Sequence, residues 1–153
     1  STNTTYTDNK IRDNFGDMQR ERLLEIKKRK VYLNWKNNSL PLSIFVGSWN
    51  ISEMEYNVNE CNISEWIELN HDIYVIGLQE CSTNFRRDWV YGILNYLGNN
   101  KYCKVKKLWM MGIGICIYIK TIYYEAINNI KFNSVPTGKG NIIGNKGGVS
   151  ISF

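Results

Sequence analysis

The stretch DIYVIGLQE, Asp72 to Glu80, is apolar along most of its length and ends abruptly on an amide and a carboxylate. A run of this length, rich in β-branched and aromatic residues, predicts a strand buried on both faces. A buried strand gains nothing in stability from a carboxylate at its tip, so Glu80 is expected to face a cleft. LSIFVGSWN, Leu42 to Asn50, repeats the arrangement, an apolar strand that follows Pro41 and closes on an amide. Asn50 and Glu80 both carry hard oxygen donors of the kind magnesium prefers. Two such strands side by side could place a metal ion between their ends.

Outward from this pair, the pattern alternates strands with short helices. Residues 59–70 fit a short helix, and FRRDWVYGILNYLG fits a longer one stopped by Gly98. YCKVKKLWM and GIGICIYIK read as two strands around Met111-Gly112. A helical piece from Tyr123 to Asn129 leads to IKFNSV, and GVSISF is a final strand. That alternation points to a layered α/β fold. Upstream, residues 1–40 form a separate polar extension. Within it, Asp17 to Lys36 is helical in pattern and contains the run Lys27 to Lys30, KKRK. A solvated helix face explains the run; attraction to an anionic membrane is the second reading.

Composition narrows the function classes without choosing among them. The 153 residues are 43% hydrophobic, enough for a core, and carry a formal charge of +5. Nucleic acid, anionic membrane and phosphorylated small molecules suit that charge equally. Four cysteines, Cys61, Cys81, Cys103 and Cys116, stand singly with no C-x-x-C pair, which argues against zinc and against a disulfide scaffold. Residues 1–22 are too polar for a secretion signal. The longest apolar run, Trp109 to Ile119, is too short to span a bilayer.

TGKGNIIGNKGGV, Thr137 to Val149, holds five glycines and two lysines. It is not a nucleotide P-loop, because Lys139 and Lys146 are each followed by glycine rather than Ser or Thr. It is not the dinucleotide fingerprint either, since Gly144 comes one place too late after Gly138-Lys139-Gly140. What remains is a glycine-rich loop that delivers Asn145 and Lys146 to the mouth of a strand. An amide and an ammonium there suit phosphate oxygens.

Together, FVGSWN, HDIYVIGLQE and TGKGNIIGNKGGVSISF resemble three successive signatures of the inositol polyphosphate 5-phosphatases. That family belongs to the exonuclease–endonuclease–phosphatase superfamily. The resemblance runs from about Leu42 to Phe153, and TGKGNIIGNKG and HDIYVIG are closest to the SHIP branch, which acts on phosphatidylinositol 3,4,5-trisphosphate. It implies a four-layer α/β/β/α sandwich of the DNase I-like kind, with residues 41–153 forming the N-terminal half of the catalytic domain. It also implies magnesium-dependent hydrolysis of the 5-position phosphate on an inositol ring. Glu80 would bind the magnesium, Asn50 would contact the metal and the scissile phosphate, and Asn145 with Lys146 would grip a substrate phosphate. The implied partners are phosphoinositide lipids or soluble inositol polyphosphates at an anionic membrane surface, with a cytoplasmic, peripheral location and no nucleic acid.

The chain departs from the family pattern in places. Ser48 stands where threonine is usual, and Ile51-Ser52-Glu53 replace the usual continuation after the asparagine. The family's catalytic Asp and His belong to later signatures not found here, and His71 is not in a catalytic position. These residues are therefore expected to be inactive by themselves. A metal-dependent endonuclease of the same superfamily is the competing enzyme, though such enzymes do not share GNKGG. A non-catalytic phosphoinositide-binding remnant is the third reading.

Overall fold

The computed structural model describes residues 41–138 and 146–153. The expected N-terminal extension with its basic helix, and Asn145 in the glycine loop, lie outside the described residues. The elements are β1 (Ile44–Asn50), α1 (Ile63–Trp66), β2 (Ile73–Gln79), α2 (Arg86–Leu97), β3 (Tyr102–Met110) and β4 (Ile113–Lys120). A 3-10 helix (Thr121–Ala126), β5 (Lys131–Pro136) and β6 (Gly147–Ser152) follow.

β1, β2, β4 and β3 form one sheet in that order. β1 runs parallel to β2, whereas β4 is antiparallel to both β2 and β3. Strand alternation divides β2 between two cores. Tyr74, Ile76 and Leu78 pack with Trp89, Val90, Ile93 and Leu97 of α2. Ile73 and Val75 point the other way, into a cluster with Ile117, Ile119, Val105 and Ile151. Ile151 belongs to β6, which pairs antiparallel with β5 in a second, two-stranded sheet. The described residues thus stack helix, sheet and sheet. This is the mixed α/β architecture expected of half an α/β/β/α sandwich.

The 22 residues between β1 and β2 cross the helical face as a loop that buries Ile51, Cys61, Ile63 and Ile67. The helix expected over residues 59–70 contracts to the single turn Ile63–Trp66. Tertiary partners take the carbonyls that a longer helix would use. Tyr96 donates its hydroxyl to the Ile67 carbonyl at 2.9 Å, and Tyr74 to that of Glu68 at 3.0 Å. Trp89 Nε1 likewise donates to Met54 O at 2.8 Å, and Tyr118 to Val90 O at 2.9 Å. Each buried ring contributes apolar area while its polar tip satisfies loop or helix backbone. Burial pushes the Tyr74 phenol up to about 12, so it stays a neutral donor at neutral pH.

Candidate active site

The parallel pairing of β1 with β2 aligns Asn50 with Gln79, which places Glu80 just beyond the end of the same ladder. There Asn50 Nδ2 donates to Glu80 Oε1 at 2.8 Å, and Asn50 Oδ1 accepts from the Ser52 N–H at 3.0 Å. The amide is held at both ends, so its orientation and that of the carboxylate are coupled. Behind them, Gln79 Nε2 donates to Ser48 Oγ and ties the two strand ends a second time. Both Asn50 and Glu80 are solvent-exposed.

Glu80 has φ 52°, a left-handed conformation that costs a non-glycine residue about 1–2 kcal/mol. Its backbone is fixed on both sides. The Glu53 N–H donates to the Glu80 carbonyl at 2.8 Å, and the Cys81 N–H donates to the Gly112 carbonyl at 2.9 Å. The second bond joins the end of β2 to the β3–β4 turn. Buried Cys81 follows directly; desolvation raises its thiol pKa, although Arg86 opposes the shift. It therefore supplies packing rather than a thiolate.

Lys146 lies at the base of the glycine loop, where its carbonyl accepts the Thr137 N–H at 2.7 Å. The next residue, Gly147, has φ 153°, and a Cβ there would stand 2.1 Å from Val135 O and 2.5 Å from Met110 Cε. Only glycine fits this close approach of β6 to β5 and to the end of β3. Met110 in turn precedes the turn that holds Cys81. The loop stem and the Asn50–Glu80 pair are thus joined through successive contacts at this end of the sheet.

His71 lies elsewhere. It precedes β2, so nearly the full length of the strand, about 25–30 Å, separates it from Glu80. Its ring packs at 5.8 Å from both Phe45 and Tyr74, and its carbonyl accepts the Tyr102 hydroxyl at 2.8 Å. Its role is structural, as expected of a histidine outside the motifs.

Among the described residues, no three His, Cys, Asp or Glu side chains cluster as a metal site. Magnesium commonly takes one or two carboxylates and keeps several waters for substrate phosphate to replace. Glu80 offers one oriented, exposed carboxylate, and the donor set fits that group. Among the described residues, no helix is long and apolar enough to cross a membrane.

Sequence reasoning missed Arg86, whose guanidinium stacks over the Trp109 ring at 5.0 Å and donates to the Met111 carbonyl. A visible signal was the Arg86-Arg87 pair six residues after Glu80, at a helix start where acids are favoured.

The chain is 30% identical over 128 residues to phosphatidylinositol 3,4,5-trisphosphate 5-phosphatase 2 of Canis lupus familiaris, a match covering 73% of this chain and 10% of that protein. It is 29% identical over 124 residues to inositol polyphosphate 5-phosphatase K of Mus musculus, covering 72% of this chain and 26% of that protein. The chain therefore spans a minor part of these relatives. Its fold matches the inositol polyphosphate 5-phosphatase domain of spsynaptojanin, solved with inositol (1,4)-bisphosphate and calcium ion, at TM-score 0.61 and 24% identity, covering 84% of this chain and 41% of that one. It also matches a Cimex nitrophorin in a ferrous NO complex at TM-score 0.59 and 17% identity, covering 73% of this chain and 41% of that one. The same fold thus carries unrelated chemistry, and function has to be argued from the site. Residues 47–153 match the family described as Endonuclease/Exonuclease/phosphatase family 2, and the chain belongs to that family, in the part of it that resembles the inositol polyphosphate 5-phosphatases.

Proposed function

We propose that these residues form the metal-binding side of a magnesium-dependent phosphoinositide or inositol polyphosphate 5-phosphatase. The observation that carries the reading is the hydrogen bond between Asn50 and Glu80 at the paired ends of two parallel strands. Glu80 would hold the magnesium, with Asn50 fixing the carboxylate and reaching the scissile phosphate. Lys146, with Asn145, would hold a second substrate phosphate by charge-assisted contacts. Bound magnesium supplies charge neutralisation at the phosphoryl oxygens and the leaving group. Water is the nucleophile, and its base comes from outside these residues, because the single histidine is His71. The 153 residues alone are therefore inactive. Their substrates are phosphatidylinositol 3,4,5-trisphosphate or its soluble headgroup relatives, met at an anionic membrane surface from the cytoplasmic side.

The test joins residues 1–153 to the remaining part of the catalytic domain of a 5-phosphatase relative and assays phosphate release with Mg2+. The expected product lacks the 5-phosphate alone, and Glu80→Gln lowers the rate by about a thousand-fold, a loss on the scale of one oriented electrostatic group. Equal rates for the parent and Glu80→Gln would sink the assignment, as would release from another ring position. Cleavage of abasic duplex DNA in place of the phosphoinositide would favour the endonuclease reading.

A further inference from the structure

Arg86 and Arg87 open α2. Two cations there face the positive end of the helix dipole, where carboxylates are favoured. No side-chain cap compensates, since Phe85 occupies the N-cap position. Arg86 Nε is also buried without an acceptor among the described residues, as is Trp109 Nε1, and each such donor destabilises the fold. The helix itself gives no reason for this arginine.

Its contacts do. The guanidinium donates to the Met111 carbonyl and stacks on Trp109. Trp109 can lie across the hairpin only because Gly114 faces it, where a Cβ would fall 2.2 Å from the ring. Met111 has φ 50° and is exposed, so the turn is strained, with little burial to hold it. Next in sequence, Gly112 accepts the Cys81 N–H at 2.9 Å and lies over Glu80, its Cβ position 3.5 Å from Glu80 Cα. Glu80 thus rests against Gly112, the neighbour of a second left-handed non-glycine residue, Met111, whose carbonyl Arg86 holds.

We infer that Arg86 is a positioning residue for the Glu80 carboxylate, acting through the β3–β4 turn. This rests on the metal-site reading given above. Arg86 would act on the metal site only through the backbone. It fixes the Met111 carbonyl, the turn then presents Gly112 O to the Cys81 N–H, and that bond holds Glu80 in the conformation that meets Asn50. Outer partners of this kind commonly alter metal affinity by about 10–100-fold.

The experiment compares the 153-residue chain with its Arg86→Met and Arg86→Lys variants in three measurements: thermal midpoint, Cys81 amide exchange, and Mg2+ affinity from amide shifts. Arg86→Met is expected to keep or slightly raise the midpoint, because a cation leaves the helix N-terminus. It is also expected to speed Cys81 exchange and weaken Mg2+ binding about ten-fold, with Arg86→Lys recovering part of both. Unchanged Cys81 protection and unchanged Mg2+ affinity overturn the inference. So does a fall in midpoint with protection lost throughout β2 and α2, since general destabilisation then explains any weaker binding. Mg2+ binding by the parent chain that the Arg86 variants retain sinks the inference alone. No Mg2+ binding by the parent, matching Glu80→Ala, removes the metal reading and the inference together.

Discussion

Glu80 combines an unfavourable backbone conformation with an exposed position just beyond the end of β2, a combination that stability does not explain. Its φ of 52° would suit glycine at no steric cost. We expect Glu80→Gly to change stability by less than about 1 kcal/mol, relief of the left-handed strain offsetting the added freedom of the unfolded chain. A thermal melt checks this, and a loss of several kcal/mol would mean that the carboxylate itself holds the fold. Asp72, at the other end of β2, behaves differently. Burial opposes its charge, but Lys120 Nζ at 2.8 Å and two donors from Ser43 outweigh that and hold its carboxyl below the usual aspartate range. A lowered folded-state value contributes stability that is fully present above the unfolded value, about 3.9, and is lost as pH falls through the folded one. Acid titration of the melting point should therefore steepen below about pH 4, and Lys120→Met should flatten that limb. Identical acid limbs in the two proteins would contradict the assignment.

At the scale of elements, the strands and α2 were readable because their apolar patterns agree with their burial. DIYVIGLQE became β2 at Ile73–Gln79, and the two strands around Met111-Gly112 paired as a hairpin. The helical readings of residues 59–70 and 123–129 came out shorter, as a single α turn and a 3-10 helix at Thr121–Ala126. Tyrosine donors from distant elements decide the first of these, and no local pattern reports them. The meeting of Asn50 with Glu80 was legible because each closes an apolar strand. The turn beneath Glu80 was not, since its strain and its contact with Arg86 arise only once β3 and β4 fold back. Gly147 is the element-scale test of the loop stem. A Cβ there meets a backbone carbonyl, which cannot swing aside as a side chain can. Gly147→Ala should destabilise the β5–β6 hairpin by about 1–3 kcal/mol. Unfolding by urea measures it, and a neutral result would show that β6 can withdraw from β5 at no cost.

The described residues leave apolar side chains exposed on both sheets. Among the described residues β1 is an edge strand, and Ile44 and Val46 on it are 54% and 72% exposed. Phe132, Val135 and Phe153 of the second sheet region are exposed as well. An open strand edge beside uncovered apolar side chains promotes association. We expect the chain to self-associate as concentration rises and Val46→Lys to restore monomers. Light scattering that shows monomers of the parent chain throughout would refute this. The central claim concerns the other end of the sheet, where Asn50 and Glu80 meet. It is tested most directly by titrating the chain with Mg2+ and following backbone amide shifts. Saturable shifts concentrated at Ser52, Glu80 and Cys81, and abolished by Glu80→Ala, are the predicted result. Shifts spread over the surface, or unaltered by Glu80→Ala, would contradict the account.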